Sequence, residues 1–384
     1  MEKVAPMSLT NARNDVICTR QLAFFVAFFL PVGKLSELPS LLAHYAGSDL
    51  LIAAFLGTVA EFLAFLFLVL FCKRTGETPL SFVKLRLGKL ACGILVGIYT
   101  LFLLLFSALP ILDLERFSHA AFSDTAPSFF VFTPFFFFSA FVCTKGLKGL
   151  GRSADLTPVL FLLPTLALLI MSVGQADFSR LLPVMEKPIT VSLKAALKTA
   201  PYFSSGALLL PVCCGYRYEE GAEAKLLPAF GAGSALFLIF LAVFFSVFGT
   251  LGEKEHYALM KTAQFFPALR YVGRIDLLMV YLVTVVLFFY TALPLQLSVD
   301  GIRMLLPIKT EFLPSAIINL AAFVFVLICN KRTAALQRFF LERLSPLFLF
   351  FSLALPLLLF LFSLKKDGGR CATNEKIQEK RGNE

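Results

Sequence analysis

Tryptophan is missing from all 384 residues, histidine occurs three times, and charged side chains make up only 16% of the chain. Soluble domains carry roughly 25% charged residues, so a water-facing surface of ordinary size is excluded. The histidines, His44, His119 and His256, are far apart, and Glu253, Glu255 and His256 crowd one loop without a metal-ligand spacing, which argues against a metal site. None of the eight cysteines forms a CxxC pair. Most lie in or at the ends of apolar runs and read as small buried hydrophobes. No GxSxG elbow, phosphate loop or dinucleotide fingerprint occurs, so an enzyme in the membrane would lack its nucleophile or cradle, and no cofactor is expected. A net charge of +10 might point to nucleic acid, but the 35 Lys and Arg are scattered between apolar segments rather than gathered into a stripe that could follow phosphates.

What the chain has in quantity is apolar surface: 58% hydrophobic residues, 45 phenylalanines and a mean hydropathy of +0.82. Water cannot be its main solvent, since soluble domains hold about 45–50% apolar residues. A hydrocarbon layer about 30 Å thick needs roughly 20 helical residues, because irregular backbone in lipid leaves amide groups unpaired. The stretches that meet this length are Gln21 to Leu42, Leu50 to Phe71, Leu90 to Leu112, Pro127 to Thr144, Leu156 to Val173, Thr199 to Tyr216, Leu226 to Leu251, Leu277 to Val299, Phe312 to Asn330 and Leu344 to Leu364. Charged residues fall only in the first two. The reading is an all-α integral membrane protein of about ten spans. A single membrane domain covers 17–364, between a cytoplasmic N-terminal tail at 1–16 and a polar, disordered C-terminal tail at 365–384.

Arg13 and Arg20 precede the apolar run Leu22 to Leu30, but no small-residue cleavage site follows promptly, so this run is the first span and not a signal peptide. The distribution of Lys and Arg favours both termini in the cytoplasm, with Lys73, Arg74, Lys84, Arg86 and Lys89 the strongest single vote. Between spans, Leu80, Val83, Leu87 and Leu90 share one helical face, as do Leu193 and Leu197, which marks two interfacial helices.

Transporters built from inverted repeats bind their solute where corresponding spans of the two halves are broken. Ten spans divide as five plus five, so spans one and six correspond. Span one is interrupted at Pro31-Val32-Gly33-Lys34 and span six at Phe203-Ser204-Ser205-Gly206. Val32, Gly33, Lys34, Phe203, Ser204, Ser205 and Gly206 are therefore the candidate ligand-binding residues. The plainer alternative is that Gly and Pro only kink packed helices. Lys34 and Glu37 are three residues apart and can pair on one face, or Lys34 can reach outward to the interface. Glu61 lies near the centre of an otherwise apolar second span, where an ionised acid costs on the order of 2.5–3.5 kcal/mol. It is either a candidate for proton or cation coupling or a neutral, hydrogen-bonded structural acid.

A resemblance runs from Cys18 to Leu364. Its landmarks are Thr19-Arg20-Gln21-Leu22, Gly33, Leu38-Pro39, Ala46-Gly47-Ser48-Asp49, Lys145-Gly146-Leu147, Gly151-Arg152-Ser153-Ala154-Asp155, the run from Asp177 through Arg180 and Pro183 to Val184, and Arg274-Ile275-Asp276. In this order the chain resembles the spore germination permeases, the B subunits of nutrient germinant receptors, within the amino acid-polyamine-organocation superfamily. It departs from them at Leu51 and Val283, where the family carries tryptophan. It also has Ser204-Ser205-Gly206 where the family has a Gly-Glu pair, which removes an acid from the ligand chemistry. The resemblance implies two inverted five-helix repeats of the LeuT type with helices 1 and 6 broken, the inner membrane of the spore, and assembly with germinant receptor A and C subunits. It also implies recognition of an amino acid or similar small nutrient that triggers germination. A proton- or cation-coupled secondary amino acid transporter is the alternative.

Overall fold

The computed structural model describes residues 17–121, 127–183, 185–264, 275–306, 310, 312–329 and 332–364. The two expected tails, together with Val184 and Arg274 of the sequence landmarks, lie outside the described residues. The described chain is helical, and its one extended contact is a bridge between Ile17 and Tyr216. Its helices are α1 (Thr19–Val32), α2 (Leu38–Ala46), α3 (Leu50–Thr75), α4 (Pro79–Ala121), α5 (Ser128–Thr144), α6 (Gly146–Val173), α7 (Ile189–Lys198), α8 (Ser205–Val212), α9 (Glu223–Phe248), α10 (Ala258–Gln264), α11 (Ile275–Leu305), α12 (Phe312–Cys329), α13 (Thr333–Glu342) and α14 (Ser345–Leu364).

Among the described residues, seven helices are long and apolar enough to cross a membrane: 38–75, 79–114, 146–173, 223–253, 284–305, 312–329 and 345–364. Three shorter apolar helical segments, 19–32, 132–144 and 200–215, stand where the remaining expected spans fall. The chain is thus a multi-pass membrane protein. Several boundaries differ from the sequence expectation: the apolar helix of the second span runs over 38–75, that of the fifth over 146–173 and that of the eighth over 284–305, and the third differs at a charge. The third span was expected to stop at Leu112, ahead of the charge on Asp113, but α4 continues through Asp113 without interruption. The helix of the third span therefore carries an acid too, because a helix in a protein-lined interior has no need to end where charge begins. The expected interfacial segment at 79–90 is the first part of α4, bent where Gly88 adopts φ +85°. The other is α7, with Leu193 and Leu197 exposed opposite the buried Ser192, Ala195 and Ala196.

Lipid tails are as apolar as leucine, so helices in a membrane are held together by close packing and internal hydrogen bonds. Small residues provide the closeness. Gly233 of α9 rests on the backbone of α1, where a β-carbon would lie 2.5 Å from the Ala27 carbonyl oxygen. Gly301 of α11 is pressed against Thr100 of α4. Phenylalanine rings fill the wider gaps, as where Phe102 stacks on Phe351 with centroids 4.3 Å apart. A proline inside a helix withholds a donor from the carbonyl four residues earlier. Pro211 does this to Ala207, and the hydroxyl of Tyr99 on α4 donates to that carbonyl at 2.5 Å.

The glycine contacts give a direct test. Gly233→Leu forces α1 and α9 apart and should cost about 1–3 kcal/mol of stability, seen as a lower melting midpoint in detergent. Gly231→Ala, on the same helix but facing open space, should leave the midpoint unchanged or slightly raised.

Candidate functional site

The first apolar helix stops at Val32, runs irregularly through Gly33 to Glu37, and resumes as α2 at Leu38. A second interruption lies between the turn Ala200–Phe203 and α8, with Ser204 non-helical. Irregular backbone away from water must find partners inside the protein. It does. The carbonyls of Leu35 and Ser36 accept the amides of Leu259 and Ala258 at 3.2 and 3.0 Å, the Glu37 carbonyl accepts Ser40 Oγ at 2.8 Å, and Ser204 Oγ donates to the Pro201 carbonyl.

The two breaks are joined by charge. Lys34 and Glu61 are 5% and 2% exposed, and the Lys34 ammonium donates to Glu61 Oε2. Glu61 Oε1 accepts the Ser205 amide at 3.3 Å, so one carboxylate on α3 holds both interrupted helices. The rings of Phe203 and Phe237 lie 5.4 and 5.7 Å from the ammonium and complete its surroundings with cation–π contacts. Neither sequence option for Lys34 holds: it pairs with Glu61 and not Glu37, and it reaches inward rather than to the interface. Helical spacing cannot reveal a partner on another helix. Glu37, 1% exposed, instead faces the ring of His256 at 3.3 Å.

Beside this pair is a cleft lined by Gly33 and Ser36 of the first break, Pro110 and Asp113 of α4, Pro201 and Tyr202 of the second break, and Tyr290 and Thr291 of α11. Tyr202 donates to Asp113 Oδ2 at 3.4 Å, and Gln337 Nε2 approaches the Tyr202 hydroxyl at 3.5 Å. The Tyr290 ring covers the face of Gly33 so closely that a β-carbon there would collide with it. Of the seven candidate residues, Gly33 lines this cleft. Val32, Lys34, Phe203, Ser204 and Ser205 are buried beside it, and Gly206 is packed against the Ser352 carbonyl and Ala64. The sequence reading passed over Asp113, Tyr202 and Tyr290. Asp113 was visible as the acid that truncated an apolar run, whereas the two tyrosines gave no signal among so many aromatics.

Several sequence landmarks meet in space. Gln21 Nε2 donates to Asp155 Oδ2 at 3.0 Å, Arg20 pairs with the same carboxylate at 3.2 Å, and Gly151 leaves room for the Gln21 amide. On the other side, Asp49 accepts the backbone amides of Met185, Glu186 and Lys187 at 2.7, 3.2 and 2.8 Å, and Ser48 Oγ donates to Glu186 at 2.6 Å. The Asp177 amide donates to the Ser246 carbonyl, and Arg180 donates to the Val247 carbonyl at 2.6 Å. The Asp177 carboxyl, in the exposed loop, is held below its ordinary pKa by hydrogen bonds from Ser179, with Arg180 adding to the effect. Asp177 and Arg180 are thereby fixed to α9, and 185–187 to the turn that leads into α3. Asp49→Ala removes the acceptor of three amides on exposed residues, which water can take over, so the loss should be about 1–3 kcal/mol in all. The check is hydrogen exchange, which should quicken at 185–187 and leave α3 protected.

No curated protein matches the chain. The family profile described as spore germination protein matches residues 16–335, which takes in both breaks, the ion pair and the cleft. The chain belongs to the Spore_permease family of spore germination proteins.

Proposed function

We propose that this chain is a nutrient germinant receptor subunit of the spore inner membrane, binding an amino acid or similar small nutrient in the cleft between the two broken helices. The observation that carries the reading is the convergence of both interruptions, Gly33 with Ser36 and Pro201 with Tyr202, on one cleft that also receives Asp113 and Tyr290. Asp113, Tyr202 and Ser36 give that cleft a polar end, and Phe106, Leu109 and Leu287 give it an apolar wall. Such a pairing suits a small solute with a charged head and a short side chain. Ten apolar helical segments among the described residues, seven long and three short, are the number that two five-helix repeats need, and the distribution of Lys and Arg favours both termini in the cytoplasm.

Signalling then follows from linkage. A nutrient that binds one packing of the bundle more tightly than another shifts the population toward it, and the receptor A and C subunits read the shift. The alternative, a secondary transporter, differs in exposing the same cleft to each side in turn. Reconstituted liposomes separate the two: nutrient binding without gradient-driven accumulation is expected here, and robust accumulation would sink the receptor-only reading.

Gly33→Ala is the sharpest probe of the cleft. The added methyl must displace the Tyr290 ring, and a misplaced methylene-sized group changes pocket affinity by about 10–200-fold. Spores carrying the variant should need correspondingly more nutrient to germinate, with the protein still inserted at normal abundance. An unchanged dose response would place nutrient binding elsewhere.

A further inference from the structure

An acid buried at bilayer depth has to be neutralised, and three agents can do it: a proton, a bound metal ion or an ammonium. Glu61 is such an acid. The sequence made it the candidate for coupling to a proton or cation, yet its carboxylate is taken up on both oxygens, by the Lys34 ammonium on one and the Ser205 amide on the other. The ammonium has the other half of a cation site around it as well, in the rings of Phe203 and Phe237. Tyr290, whose ring covers Gly33 next to Lys34, brings no positive charge.

We propose that Lys34 is the resident cation of this chain: its ammonium fills, from within the protein, the position beside Glu61 that a coupling ion or proton would otherwise occupy. Nutrient binding in the neighbouring cleft then draws on no ion gradient, a consequence that rests on the receptor reading while the cation assignment itself does not. Glu61 is accordingly a positioning residue. It holds the break at Lys34 and the break at Ser205 in register from a third helix.

The test uses the purified full chain in detergent, without nutrient, melted at one pH and ionic strength in sodium, potassium, choline or propylammonium chloride. The unmodified protein should melt at the same midpoint in all four. A saturable rise in sodium or potassium, on the order of 5 °C for an ion well above its dissociation constant, overturns the proposal. Lys34→Ala vacates the ammonium position; its midpoint should fall, and propylammonium should restore at least half of the loss where bulky choline restores none. An amine that restores nothing also overturns it. Should Lys34→Ala fail to fold, Lys34→Met combined with Glu61→Gln decides, because the amide oxygen still accepts the Ser205 amide while removing both charges together should return a folded protein indifferent to all four cations. Failure of that double variant to fold counts against the proposal. Because nutrient is absent throughout, a wrong nutrient-binding reading would leave each of these results unchanged.

Discussion

Interrupting a helix inside a membrane exposes amides and carbonyls that lipid cannot serve, and the arrangement of this protein follows from meeting that demand twice. The first interruption gives its carbonyls to the segment around Ala258 and Leu259. The second gives an amide to Glu61, whose charge is balanced by Lys34 from the first. The helices α3, α8 and α10 and the break between α1 and α2 are thus tied together before any solute arrives. Removing either charged partner alone would leave the other stranded, a loss of about 3–5 kcal/mol in comparable buried pairs.

The cleft owes its position to the same demand. Because the polar groups at the breaks are largely occupied by the protein itself, the space beside them is bordered by side chains such as Asp113, Tyr202 and Tyr290 rather than by open backbone. Specificity in such a site rests on what those side chains present and on how closely the Tyr290 ring sits over Gly33. That differs from a site made of bare helix ends, where dipoles alone would select a solute by charge.

Much of this was legible in the sequence. Apolar length located the spans, and Pro31, Gly33 and the Ser204-Ser205-Gly206 run located both breaks. Landmarks chosen for their order along the chain, Gln21 with Asp155 and Asp49 with the segment after Pro183, prove to be contacts across the fold. What stayed hidden was partnership between helices. Lys34 was weighed against Glu37 because spacing along a helix is readable and proximity across a bundle is not. Asp113 falls one residue beyond the apolar run that ends at Leu112, although an acid facing a cleft can stand in the helix of a span.

The bond from Tyr99 to the Ala207 carbonyl carries a further implication. Pro211 denies that oxygen its usual donor four residues on, so the hydroxyl on α4 is its substitute. Sliding α4 along α8 would strand the oxygen in a dry interior, whereas rotating the two about that point would not. The bond therefore resists sliding of these two helices past one another more than it resists rotation about the point where they meet.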